Sequence, residues 1–175
     1  MQRPFDGTAP RVADEAFLSE MAYAVGDVEV GPRASIWPFV CLRGDGGAVS
    51  VGAETNVQEF TMLHGATLGE EVTVGHGAVV DYATVHDHSL IGMGSAVMGG
   101  ATVESNCIVA ANAVVRQGQR VPEGHMAYGV PADVRPLSDE QVAQIGDTHE
   151  NYVELSATYR GTAAEAGTDD RSRTE

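Results

Sequence analysis

Lysine is absent from this 175-residue chain. All ten basic residues are arginine, set against 25 acidic residues, for a formal charge of −15. That balance excludes a nucleic-acid binder, because a phosphate backbone needs a basic patch to neutralise it. Acidic excess without lysine resembles proteins adapted to high internal salt, where screening over a few Å makes self-repulsion tolerable. An acidic mesophile protein is the alternative. Aromatic residues are also few, at 6%. The two cysteines, Cys41 and Cys107, suggest neither a disulfide framework nor a thiolate zinc site. No apolar run reaches the roughly 18 residues of a membrane span. The N-terminal "MQRPFDGTAPRVADE" lacks the apolar stretch of a signal peptide. The expected setting is cytoplasmic, with no membrane and no nucleic-acid partner.

Glycine is plentiful, at 21 residues, and hydrophobic content is 43%. That mix suits many short strands with tight turns better than a helical bundle. Six dipeptides of a branched apolar residue and glycine punctuate the middle: Val25-Gly26, Val30-Gly31, Val51-Gly52, Leu68-Gly69, Val74-Gly75 and Ile91-Gly92. Stepping by six finds Val51, Val57, Leu63; then Leu68, Val74, Val80; then Val85, Ile91, Val97; then Val103, Val109, Val115. Successive groups are 17, 17 and 18 residues apart. A helix needs apolar residues every 3.6 positions and a simple strand needs alternation. A six-residue step with three members per lap fits a triangular solenoid of short parallel strands, with one inward side chain per wall. Val25, Val30, Ile36 and Leu42 form an earlier coil, and "RGDGGAVS" is an excursion before Val51.

The fold class expected is therefore all-β, a parallel β-helix of hexapeptide repeats over 25–134, after an N-terminal lead-in over 1–24. Prolines at 122, 131 and 136 punctuate the end of the pattern. Ser138 with Gln141 makes a capping box for a C-terminal helix over 137–160. Val142, Ile145, Tyr152, Val153 and Tyr159 give that helix a partly apolar face. The tail over 161–175 has too little apolar surface to order itself.

The third wall carries Leu42, Leu63, Val80, Val97 and Val115. The residues just after them are Arg43, His64, Asp81, Met98 and Arg116. Arg43, His64 and Asp81 thus stack at one corner on consecutive coils. His76 precedes Asp81 by five residues, roughly 16 Å of extended chain. Metal–ligand bonds near 2 Å make convergence within one chain awkward. A neighbouring subunit can supply His76 instead, and three identical chains about a three-fold axis close as a heterologous ring.

The chain resembles the γ-class carbonic anhydrase-like family of left-handed β-helix proteins. The resemblance is carried by "LRGD" at 42–45, "ETNVQE" at 54–59, "MLHGATLG" at 62–69, "VTVGHGAVV" at 72–80, "IGMGSAV" at 91–97 and "YGVPADVRPLSDEQ" at 128–141, and it spans roughly residues 5–160. The hexapeptide pattern alone is shared with many acyltransferases; the RGD, TNVQ, LHG and VGH combination is more specific. The resemblance implies a homotrimer that hydrates CO2 reversibly to bicarbonate. It also implies zinc, or iron or cobalt in some members, held by three histidines at each interface. His64 matches the first ligand and His76 the second. The third falls at Asp81, where the family pattern His-Gly is replaced by Asp81-Tyr82.

Two histidines and a carboxylate are an accepted set for zinc and for Fe(II). The carboxylate cancels one unit of the metal's charge, so bound water is less acidic and slower hydration, or activity at higher pH, is expected. Arg43 and Asp45 match a pair that links subunits in the family and supports the pocket; a purely structural ion pair is the other reading. Asn56 and Gln58 match residues near the metal water, with Gln58 as its orienter; turn chemistry is their alternative role. Tyr128 matches a pocket tyrosine of some members. The family's glutamate-bearing shuttle loop has no counterpart, since four residues separate His64 from Gly69. His86 and His88 are expected as exposed turn residues, and His125 and His149 as surface residues. Two rival functions stay open: a non-catalytic trimeric subunit of the same shape, and a hexapeptide-repeat acyltransferase that binds coenzyme A.

Overall fold

The computed structural model describes residues 1–169, with side chains through 161. It is a left-handed parallel β-helix of about seven turns closed by one C-terminal helix. The column residues meet in the register that the sequence period sets: Leu42 pairs with Leu63, Leu63 with Val80, Val80 with Val97, and Val97 with Val115. All five are fully buried. Each wall contributes one such side chain per coil, so the core is a stack of Val, Leu, Ile and Ala down the prism axis. No coil buries its own face, and stability comes from the neighbours.

A 12-stranded sheet forms two of the walls and an eight-stranded sheet the third. The two walls are joined by the long strands Tyr23–Val30 and Cys41–Val51, which run around a corner. The "RGDGGAVS" excursion is built into the second of these. Gly44 is required there, because a Cβ would stand 2.2 Å from the Asp27 carbonyl oxygen of the adjoining strand.

The parallel pairing begins in the segment expected as a lead-in. Gln2–Arg3 and Arg11–Val12 pair with Tyr23–Val30, and Phe17–Leu18 pairs with Ser35–Ile36. Val12, Leu18 and Ala24 already follow the six-residue step. The helix runs Asp139–Asp169, past the expected end at 160. Alanines at 163, 164 and 166 carry high helix propensity through that stretch. The rest of the expected tail, 170–175, lies outside the described residues. Ser138 and Gln141 exchange both capping-box hydrogen bonds, at 3.1 and 3.4 Å.

The helix lies against the eight-stranded wall through Ile145, His149, Tyr152 and Ser156, a stripe at helical spacing. Trp37 anchors it, with its ring 5.6 Å from Tyr152 and 5.2 Å from Tyr159. His149, expected at the surface, is a correction: it is only 8% exposed. Its Nε2 is 3.2 Å from Glu54 Oε2 and its Nδ1 3.8 Å from Glu71 Oε2. Four residues after Ile145 and three before Tyr152, it falls on the docked stripe. No helix among the described residues is long and apolar enough to cross a membrane.

Candidate metal centre

The wall built from Met62–His64, Val79–Asp81, Ala96–Val97 and Val114–Val115 has two edges, and the candidate residues divide between them. At one edge, Arg43 pairs with His64 and His64 with Asp81 across adjacent strands. The His64 Nδ1 is 2.9 Å from Asp81 Oδ1. Its Nε2 is 3.3 Å from the Tyr82 hydroxyl and 3.9 Å from Asp45 Oδ1. Both ring nitrogens of His64 are therefore engaged within one chain. Arg43 grips Asp45 with two hydrogen bonds, each 3.2 Å, from Nε and Nη2. That contact holds the Asp45 carboxyl below the usual carboxylate range.

At the opposite edge stand His76 and Glu59. The 17-residue register places them side by side, with His76 Nδ1 2.8 Å from Glu59 Oε2. The contact is close but is not a hydrogen bond, and the buried Glu59 Oε2 makes no other. The His76 side chain is 45% exposed. A carboxylate behind a ligating imidazole is the usual outer-shell arrangement of metal sites. Beside this edge, Phe39 and Phe60 stack with centroids 5.1 Å apart, both exposed. Met93 and Val79 add further exposed apolar surface.

Asn56 and Gln58 precede Glu59 and belong to this second half. They are buried on the eight-stranded wall. Gln58 donates to Asn56 Oδ1 at 3.1 Å, and Asn56 donates to Thr73 Oγ1 at 2.8 Å. Gln58 also lines a cavity of about 410 Å³ under Tyr152 of the helix. Tyr128 is not brought to either edge; it ends His125–Tyr128 on the eight-stranded wall, with Arg135 6.0 Å from its ring centroid. His86 and His88 are exposed, and His88 Nδ1 lies 2.9 Å from Glu71 Oε2. His125 bonds the Glu123 carbonyl oxygen. Cys41 and Cys107 are free thiols, both pushed up in pKa by burial.

Among the described residues, no three His, Cys, Asp or Glu side chains of one chain are grouped to hold a metal ion. The donor chemistry nevertheless fits a divalent metal: His64 with Asp81 behind it on one edge, and His76 with Glu59 behind it on the other. In this geometry Asp81 orients His64 through Nδ1, so ligation by Asp81 itself requires it to turn away from that nitrogen. Tyr82 and Glu59 were not assigned roles by the sequence. The signal for Glu59 was its 17-residue offset from His76, the same step that pairs His64 with Asp81.

Known proteins agree with this architecture. The protein YrdA of Escherichia coli is 34% identical over 170 residues, covering 90% of this chain and 92% of its own length. The chain belongs to the γ-carbonic anhydrase-like family of hexapeptide-repeat proteins. Mitochondrial gamma carbonic anhydrase 1 of Arabidopsis thaliana is 40% identical over 163 residues; the match takes in 86% of this chain and 59% of the plant protein. The structure of a hexapeptide transferase family protein from Anaplasma phagocytophilum superposes with a TM-score of 0.88 at 35% identity, covering 90% of this chain and 97% of that one. Residues 82–117 match the family described as bacterial transferase hexapeptide (six repeats).

Proposed function

We propose that this γ-carbonic anhydrase-like protein is a homotrimeric metalloprotein that hydrates CO2 reversibly to bicarbonate at three intersubunit sites. The carrying observation is the division of the donors: an imidazole–carboxylate pair at 2.9 Å on one edge of a wall, and an exposed His76 on the other. An edge-to-edge ring of three chains apposes the two halves. His64 and Asp81 of one subunit and His76 of the next hold the ion, zinc or alternatively iron or cobalt. When bound, the ion supplies Lewis acidity that activates water toward CO2.

The remaining roles belong to side chains. Glu59 holds His76 in place from Nδ1. Gln58 and Asn56 arrive with His76, and a Gln58 amide freed from Asn56 orients the reacting oxygen. Arg43 and Asp45 brace the His64 edge, and Phe39, Phe60 and Val79 supply the apolar part of the interface. Tyr128 joins only if a neighbouring chain brings it. The engagement of both His64 nitrogens favours a second reading, a non-catalytic trimeric subunit; an acyltransferase is separated from both by coenzyme A binding.

The test is complementation. Wild-type protein should have a mass three times 18.3 kDa. His64→Ala and His76→Ala should each lose stoichiometric metal by elemental analysis. Co-expressed in equal amounts, they should recover about one quarter of the sites, because a random ring joins the two intact halves at about one interface in four. No recovery from well-folded mixed trimers, or metal retained by either single variant, would sink this assignment.

A further inference from the structure

Tyr82 stands where the family pattern has glycine, and its surroundings explain how a large ring is accommodated. Its backbone is in the left-handed region, with φ 48°. Glycine adopts that conformation freely, and the corners of this β-helix hold bulky residues in it as well, Phe39 and Phe60 at φ 63° among them. The ring lies against three positions that have no Cβ. A Cβ at Gly65 would be 2.6 Å from Tyr82 Cε1, one at Gly47 2.9 Å from the same atom, and one at Gly46 2.7 Å from the hydroxyl. The ring meets the His64 imidazole edge-on, with centroids 4.6 Å apart.

With Asp81 accepting from Nδ1–H, the Nε2 of His64 carries the lone pair, and the Tyr82 hydroxyl donates to it. That lone pair is the one a metal ion needs. The ring also has somewhere to go. A groove of about 470 Å³ opens beside it, lined by Met98, Gly99, Gly100 and Gln117. Tyr82 itself is 44% exposed, so the niche does not enclose its ring on every side.

We infer that Tyr82 is a latch on the metal half-site: seated among Gly46, Gly47 and Gly65, it competes with the metal for His64 Nε2, and metal entry requires it to swing toward Gly99 and Gly100. This rests on the metal reading given above. It adds a positioning residue that sets how tightly and how fast that site loads.

Cobalt(II) titration followed by visible absorption tests the latch without reference to turnover. Wild type, Tyr82→Phe, Tyr82→Gly and His64→Ala are compared, with circular dichroism confirming that each retains the β-helix. Tyr82→Phe removes one hydrogen bond to Nε2 and should tighten cobalt binding up to about tenfold. Tyr82→Gly also empties the niche and should tighten it at least as much, with faster loading. His64→Ala should abolish the cobalt bands. Equal affinity and loading rate in wild type and both Tyr82 variants, with His64→Ala still negative, overturns the latch and leaves the metal site standing. No bands in any protein overturns the metal reading, and the latch with it.

Discussion

The two edges of one wall differ in how complete they are. The His64 edge closes on itself: Asp81 takes one ring nitrogen, Tyr82 the other, and Arg43 holds Asp45 beside them. The His76 edge does not: its imidazole is exposed, Glu59 Oε2 is buried without a hydrogen bond, and stacked Phe39 and Phe60 face outward. Glu59 Oε2 sits 2.8 Å behind the His76 ring, and the ring itself stays 45% exposed, open to a group that arrives from outside. One chain therefore holds a half closed on itself and a half whose imidazole is exposed. The five-residue width of the wall, roughly 16 Å, keeps them from meeting.

The strongest way to break the comparison is to collapse the wall between the edges. Leu63 is fully buried directly before His64, and Leu63→Ala should cost about 2–5 kcal/mol in chemical denaturation at fixed protein concentration. Val79 lies on the outer surface of the same wall, 37% exposed, and Val79→Ala should stay within about 0.5 kcal/mol in the dissociated chain. Equal losses would mean that the column is not the load on which both edges rest. A smaller effect separates the edges themselves. His64→Ala leaves Asp81 and Tyr82 without their shared partner and should destabilise the dissociated chain by about 1 kcal/mol. His76→Ala removes an exposed ring and should change it by less than about 0.5 kcal/mol. The reverse order would make the His76 edge the structured one.

Much of this was legible in the chain because its period is covalent. A step of six fixes which residues point inward, and the 17- and 18-residue laps fix which side chains stack. The adjacency of Arg43, His64 and Asp81 follows from that alone, and so does the separation of His76. The first coil was missed although Val12, Leu18 and Ala24 carry the same step, because its strands lack the valine–glycine punctuation of the later coils. His149 was missed because its burial comes from docking of the helix on the wall, a long-range contact that no local pattern encodes. The niche of Tyr82 was illegible for a similar reason. Gly46 and Gly47 lie in the excursion, and only its path around the corner brings them against a residue two coils later in the stack.

The smallest expected effect lies in acid. Arg43 donates two hydrogen bonds to Asp45 and depresses its carboxyl below its value in an unfolded chain. A depressed folded-state value means that the native state binds the proton less readily than the unfolded state. The resulting stability is fully present above the unfolded value of about 3.9 and is lost as pH falls through the folded one. Denaturation midpoints measured from about pH 6 down to about pH 2 should therefore fall less steeply in Asp45→Asn than in wild type, with the two curves converging at the acid end. Met93→Ala, an exposed change near the His76 edge, should leave the acid limb as it is in wild type. A limb unchanged in Asp45→Asn would show that the Arg43–Asp45 contact does not brace the closed edge in solution, and the contrast between the two edges would then rest on His64, Asp81 and Tyr82 alone.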